Sequence, residues 1–102
     1  MKALGESASE VVYTRHLRAR LELRRFPADL PRKIFEDVDR RYLDKETGHE
    51  IAVKQVLLRG KWRRVMIAYD RNGHVAEIVT IHPISNEQER SKMKEGRWMR
   101  LG

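Results

Sequence analysis

Between Glu50 and Pro83, β-branched and aliphatic residues recur in three short runs, Ile51–Leu58, Trp62–Tyr69 and His74–His82. Arg59-Gly60 and Asn72-Gly73 separate them, and such dipeptides supply the positive φ that two-residue hairpin loops need. The pattern predicts an antiparallel β-meander. Upstream, Glu10–Tyr13 is a short β-type run, and Thr14 is placed to cap a helix from Arg15 to about Arg25 that Phe26-Pro27 ends. That helix is poorly amphipathic, with Leu17 and Leu21 as its stripe and Leu23 well away from them. A second helix, from about Leu30 to Asp39, carries Leu30, Ile34 and Val38 at four-residue spacing with Phe35 beside them. Asp29 is its expected cap and Pro31 suits its first turn. Arg41–Leu43 reads as a strand turned back into Ile51, and a last helix is expected from Ser85 or Asn86, with Gly96 ending it. The order predicts an α+β domain over residues 10–102, two N-terminal helices packed on one sheet face, and a short C-terminal helix. Met1–Ser9 reads as a frayed leader.

Charge changes this picture. Lys and Arg total 22 against 15 Asp and Glu in 102 residues, a balance that attracts polyanions. The cations are segregated: Arg15, Arg18, Arg20, Arg24 and Arg25 crowd one segment, and Arg59, Lys61, Arg63 and Arg64 another. Within the meander, Lys54, Arg63, Arg64, Thr80 and His82 stand among otherwise apolar strand residues. This is the footprint of a nucleic-acid binder, or alternatively of a highly charged solvated surface. There is no cysteine, which excludes disulfides and sulfur-ligated metals. The histidines are scattered without a metal-binding spacing, so neither a metal nor another cofactor is expected. No apolar run has membrane-spanning length and no signal peptide is evident, so a cytoplasmic chain is expected.

With both dipeptides as two-residue turns, Lys54 faces Val65 and Val65 faces Thr80, while Val56 neighbours Arg63 and Arg63 neighbours His82. That register gathers Lys54, Arg63, Thr80 and His82 on one face and puts Val53, Met66 and Val79 on the other. A bulge near Asn72 would flip His82 across. Metal-independent RNA cleavage requires a base for the 2′-hydroxyl, an acid for the leaving 5′-oxygen, and cations around the phosphorane. His16 and His82 are the candidate titrating pair, with Thr80 as a hydrogen-bond donor. Lys54, Arg63, Arg64, Arg20 and Arg97 are the candidate phosphate ligands. The same residues also have structural readings: His82 as a strand-end turn residue, His16 as part of a cap, and Lys54 and Arg63 as side chains snorkelling from the sheet. His49 and His74 read as solvated turn residues. Tyr42, Trp62, Tyr69 and Trp98 suit either base stacking or the core.

Tyr13-Thr14-Arg15-His16 before an Arg-rich helix, Tyr42-Leu43-Asp44, Gly60-Lys61-Trp62-Arg63-Arg64-Val65, and Ile78-Val79-Thr80-Ile81-His82-Pro83 before a helix ending at Gly96-Arg97-Trp98 together resemble the RelE/ParE toxin superfamily. The likeness is greatest to its short prokaryotic domains that begin Tyr-Thr-X-His-Ala, with Leu17 here in place of the alanine, and extends more distantly to BrnT-type toxins. It implies a RelE-like sheet flanked by helices, metal-independent endoribonuclease activity on cytoplasmic or ribosome-associated RNA, and an antitoxin partner. His16 and Thr80 match its recurring positions. From a different function class, a non-catalytic RNA- or protein-binding module would use the same basic sheet.

Overall fold

The computed structural model describes residues 10–101; the expected leader lies outside them. The chain runs β1 (Glu10–Tyr13), α1 (Arg15–Arg24), α2 (Leu30–Glu36), β2 (Arg40–Asp44), β3 (Glu50–Leu58), β4 (Lys61–Asn72), β5 (Val75–Pro83), α3 (Asn86–Lys94) and β6 (Trp98–Leu101). Helices α1 and α3 start where side chains satisfy free backbone donors, whereas Asp29 stands at the expected N-cap position of α2 without a side-chain cap bond. Thr14 Oγ1 accepts from Leu17 N at 3.1 Å and donates to the Val79 carbonyl, which ties the start of α1 to β5. Ser85 and Gln88 form a reciprocal capping box on α3. Helix α2 stops at Glu36, short of the expected Asp39, because Asp39 turns to the sheet. Its N–H donates to the Val53 carbonyl and its carboxylate accepts from Gln55 N.

The six strands form one sheet in the order β1-β5-β4-β3-β2-β6. The fold is α+β as the sequence predicts, and β3–β4–β5 is its antiparallel centre. The sheet as a whole is mixed, because β1 pairs with β5 in parallel. A four-residue segment carries no periodicity that would announce this direction. Strand β6, which pairs antiparallel with β2, was also not foreseen.

The front face buries Val65, Ile67, Tyr69, Ile78 and Ile81 under α1 and α2, whose Leu17, Leu21, Leu30, Ile34 and Phe35 complete the larger core. Both N-terminal helices therefore pack on one face, as expected. The back face buries Tyr42, Ile51, Val53, Met66, Ala68, Ile84 and Trp98. Helix α3 is fastened to that face through Glu89, which is 3% exposed. Its carboxylate accepts from Arg40 at 2.7 and 3.0 Å, from Arg64 at 3.0 Å, and from the Tyr42 hydroxyl.

Register decides which side chains share a face, and here one expectation is corrected. The first hairpin is as predicted, with Lys54 opposite Val65 and Val56 opposite Arg63. The second closes one step later, Asn72 opposite Val75, so that Gly73 and His74 form the turn. A bulge then follows: Tyr69 faces Ile78 but Ala68 faces Thr80, leaving Val79 as the extra residue. The two offsets together shift the pairing by an odd number of residues. Thr80 and His82 therefore stand on the back face, opposite Ala68 and Met66, while Lys54 and Arg63 stay with the front-face residues. The expected Lys54–Arg63–Thr80–His82 cluster does not form.

Candidate nucleic-acid groove on the back face

A groove of about 570 Å³ opens on the back face. Its floor is Ile51, Met66, Ala68 and Ile84, and Gln88, Ser91, Lys92 and Glu95 of α3 make one wall. Gln88, Ser91 and Lys92 of α3 and its C-cap Glu95 follow an i, i+3, i+4, i+7 spacing, which places them on one side of the helix. Thr80, His82 and Arg24 form the opposite wall, and Asp44, His49, Arg97 and Trp98 the far end.

His82 is half-buried, and Thr80 Oγ1 lies 3.3 Å from its Nε2 as a hydrogen-bond partner. Burial, then the positive charges of Arg20 and Arg24, then His16, hold the imidazole below its ordinary value. His16, Arg20 and Arg24 recur every four residues and so form one stripe of α1. Because α1 follows the parallel β1, it runs beside the second half of β5, and this stripe borders the groove wall. Arg24 lines the groove itself. His16 and Arg20 reach His82 through their charge. The cations beside His82 come from α1, where His16 and Arg24 are exposed and Arg20 is half-buried.

The other expected phosphate ligands either lie outside the groove or are held by carboxylates. Lys54 pairs with Asp37 at 3.3 Å and Asp39 at 3.8 Å on the front face. Arg63 is exposed beside it in the ladder. Arg64 is held by buried Glu89. Arg97 lines the groove but is engaged by Asp44 through two 3.1 Å contacts and by Glu46 at 2.7 Å. Burial alone would raise the Asp44 pKa. Arg97 and the turn N–H groups of Glu46 and Thr47 override that effect and hold Asp44 at about 2. In contrast, Arg20, Arg24 and Lys92 enter no ion pair with a described residue.

Two groove residues were not picked out as site candidates from the sequence. Lys92 is not among the phosphate ligands expected from the sequence. His49 was read as solvated, yet its Nδ1 meets Asp70 Oδ1 at 2.6 Å and its ring lines the groove. The signal for that pair was register: extending the β3–β4 ladder by one step past Glu50 and Tyr69 sets His49 opposite Asp70. Among the described residues no group of His, Asp and Glu has the arrangement of a metal site, and no helix is long and apolar enough to cross a membrane. Comparison of the chain with known protein families, curated proteins and solved structures gives no match.

Proposed function

We propose that the protein is a toxin-like, metal-independent endoribonuclease of RelE-like type whose substrate phosphate lies in the back-face groove beside His82. The observation that carries this reading is the company His82 keeps. It is a half-buried imidazole whose neutral form is favoured by burial and by Arg20 and Arg24, which enter no ion pair with a described residue, and a hydroxyl lies at its Nε2. Neutral imidazole is the form that accepts a proton, and the cations that disfavour its charge are the ones that attract a phosphodiester.

In this reading the ribose 2′-hydroxyl takes the place of Thr80 at Nε2, and His82 removes its proton as the 2′-oxygen attacks phosphorus. The P–O5′ bond breaks, and the leaving oxygen receives a proton from His16, which acts as the general acid. The products are a 2′,3′-cyclic phosphate and a 5′-hydroxyl. Arg20, Arg24 and Lys92 hold the charge that builds on the phosphorane, and Thr80 turns its hydroxyl to a phosphate oxygen. Lys54 and Arg64, each already matched to carboxylates, hold the fold together in this scheme. The substrate is cytoplasmic RNA, free or on the ribosome, and an acidic antitoxin is the partner that would cover the same cations.

The test is incubation of the purified protein with RNA in EDTA, with identification of the ends produced. Cyclic phosphate ends, and a loss of rate of about a hundredfold or more in His82→Ala, are expected. RNA that is bound but never cut, across pH and with ribosomes present, hands the groove to the non-catalytic binding module.

A further inference from the structure

The far end of the groove holds an unsatisfied donor. Trp98 is 4% exposed and stacks on Tyr42 with ring centroids 5.1 Å apart, yet its Nε1–H finds no acceptor among the described residues. A buried indole N–H is ordinarily paired, and leaving one unpaired lowers stability. The surroundings show what would pair it. Trp98 lines the groove with His49, whose Nδ1 is held by Asp70 so that Nε2 is the nitrogen left for a ligand. Between them and His82 lies the apolar floor of Ile51, Met66 and Ala68.

Distance separates this end from the phosphate chemistry. On the back face, Val53, Met66 and His82 form one row, Ile51, Ala68 and Thr80 the next, and His49 with Asp70 a third. Two rows and two strands put the His49 and His82 Cα atoms roughly 17 Å apart. A proton-transfer group must come within hydrogen-bond reach of the reacting atom, so His49 takes no part at the phosphate His82 faces.

We propose that this end of the groove is a subsite for an unstacked nucleobase, which lies on the apolar floor and accepts a hydrogen bond from Trp98 Nε1. His49 Nε2 makes a second polar contact to the base edge. Single-stranded RNA is read in this way, by bases splayed from the stack and bonded along their edges. A small turn of the indole within its stack on Tyr42 presents the shielded N–H to the base. The subsite rests on the reading of the groove as an RNA site, and supplies the base preference that the phosphate contacts lack.

The probes are 2′-deoxy dinucleotides of each base, which cannot be cleaved, and their abasic counterpart, titrated against wild type, Trp98→Phe and His49→Gln. Phenylalanine keeps an aromatic ring against Tyr42 and removes the N–H together with part of the ring volume. At least one base-bearing probe is expected to bind Trp98→Phe about three- to tenfold more weakly, the scale of one hydrogen bond. The abasic probe should bind all three proteins alike, which separates loss of the N–H contact to the base from any general effect of the smaller ring on the groove. His49→Gln should weaken the same base-bearing probe. Equal affinities of wild type and Trp98→Phe for every probe, or an equal loss on the abasic one, overturn the subsite. This pattern without RNA cleavage removes the endoribonuclease and leaves the subsite, whereas cleavage without the pattern does the reverse. Failure of every probe to bind overturns the subsite as well.

Discussion

At His82, burial and neighbouring positive charge act in the same direction, both favouring the neutral ring. Its titration followed by NMR should have a midpoint below the ordinary value of about 6.5, and Arg20→Gln or Arg24→Gln should raise it. The sign for stability follows. The unfolded chain takes up this proton first, so acidification from about pH 6.5 down through the folded midpoint favours unfolding, and above that window nothing is lost. His82→Gln should flatten this part of the pH–stability curve, and an unchanged slope would mean that the ring is hydrated. Arg25 poses a simpler question of backbone geometry. It ends α1 with φ at 58°, in the left-handed region that glycine occupies without a Cβ clash. Arg25→Gly should stabilise the protein by about 0.5–1 kcal/mol in chemical denaturation, and a destabilised variant would show that the Arg25 side chain contributes more than its backbone costs.

Among the elements, α3 shapes the groove most, since one side of it forms a wall and Glu89 anchors it. Glu89→Ala leaves Arg40 and Arg64 without their carboxylate. Removing one partner of a buried ion pair costs about 3–5 kcal/mol. The low end is expected here, because the Arg40 and Arg64 side chains keep 30% and 21% exposure and water can partly solvate them. Equilibrium unfolding measures this, and a loss below about 1 kcal/mol would show that α3 is held by apolar contacts alone. The element scale is also where the sequence was most and least legible. Capping at Thr14 and Ser85, the Arg59-Gly60 turn and the Leu30/Ile34 stripe are local features, and each appears in the structure where its chemistry put it. The Val79 bulge is not local: it lets Ile78 and Ile81 both enter the front core, and no turn residue marks it. That one residue separated Thr80 and His82 from Lys54 and Arg63. Strand β6 was hidden for a related reason, since Trp98–Leu101 becomes a strand only by pairing with β2.

For the whole molecule, net charge of +7 overstates what is available to RNA. Much of the positive charge is matched within the fold: Arg40 and Arg64 by Glu89, Arg97 by Asp44 and Glu46, and Lys54 by Asp37 and Asp39. If Arg20, Arg24 and Lys92 are the phosphate contacts, the log–log dependence of affinity on salt should have a slope of about −2 for single-stranded RNA. A slope of about −3.5 would instead enrol the five cations chosen from the sequence, and a flat response would remove nucleic acid as the partner. The central claim is that the back face, and not the front, does the chemistry. RNA cleavage by Arg24→Gln and His82→Ala, measured beside Lys54→Gln on the opposite face, tests it most directly. The account predicts that the two back-face variants lose about a hundredfold or more in rate, while Lys54→Gln, which removes only partly exposed ion pairs, stays within about threefold of wild type. Loss of cleavage in Lys54→Gln with full activity in His82→Ala would contradict it.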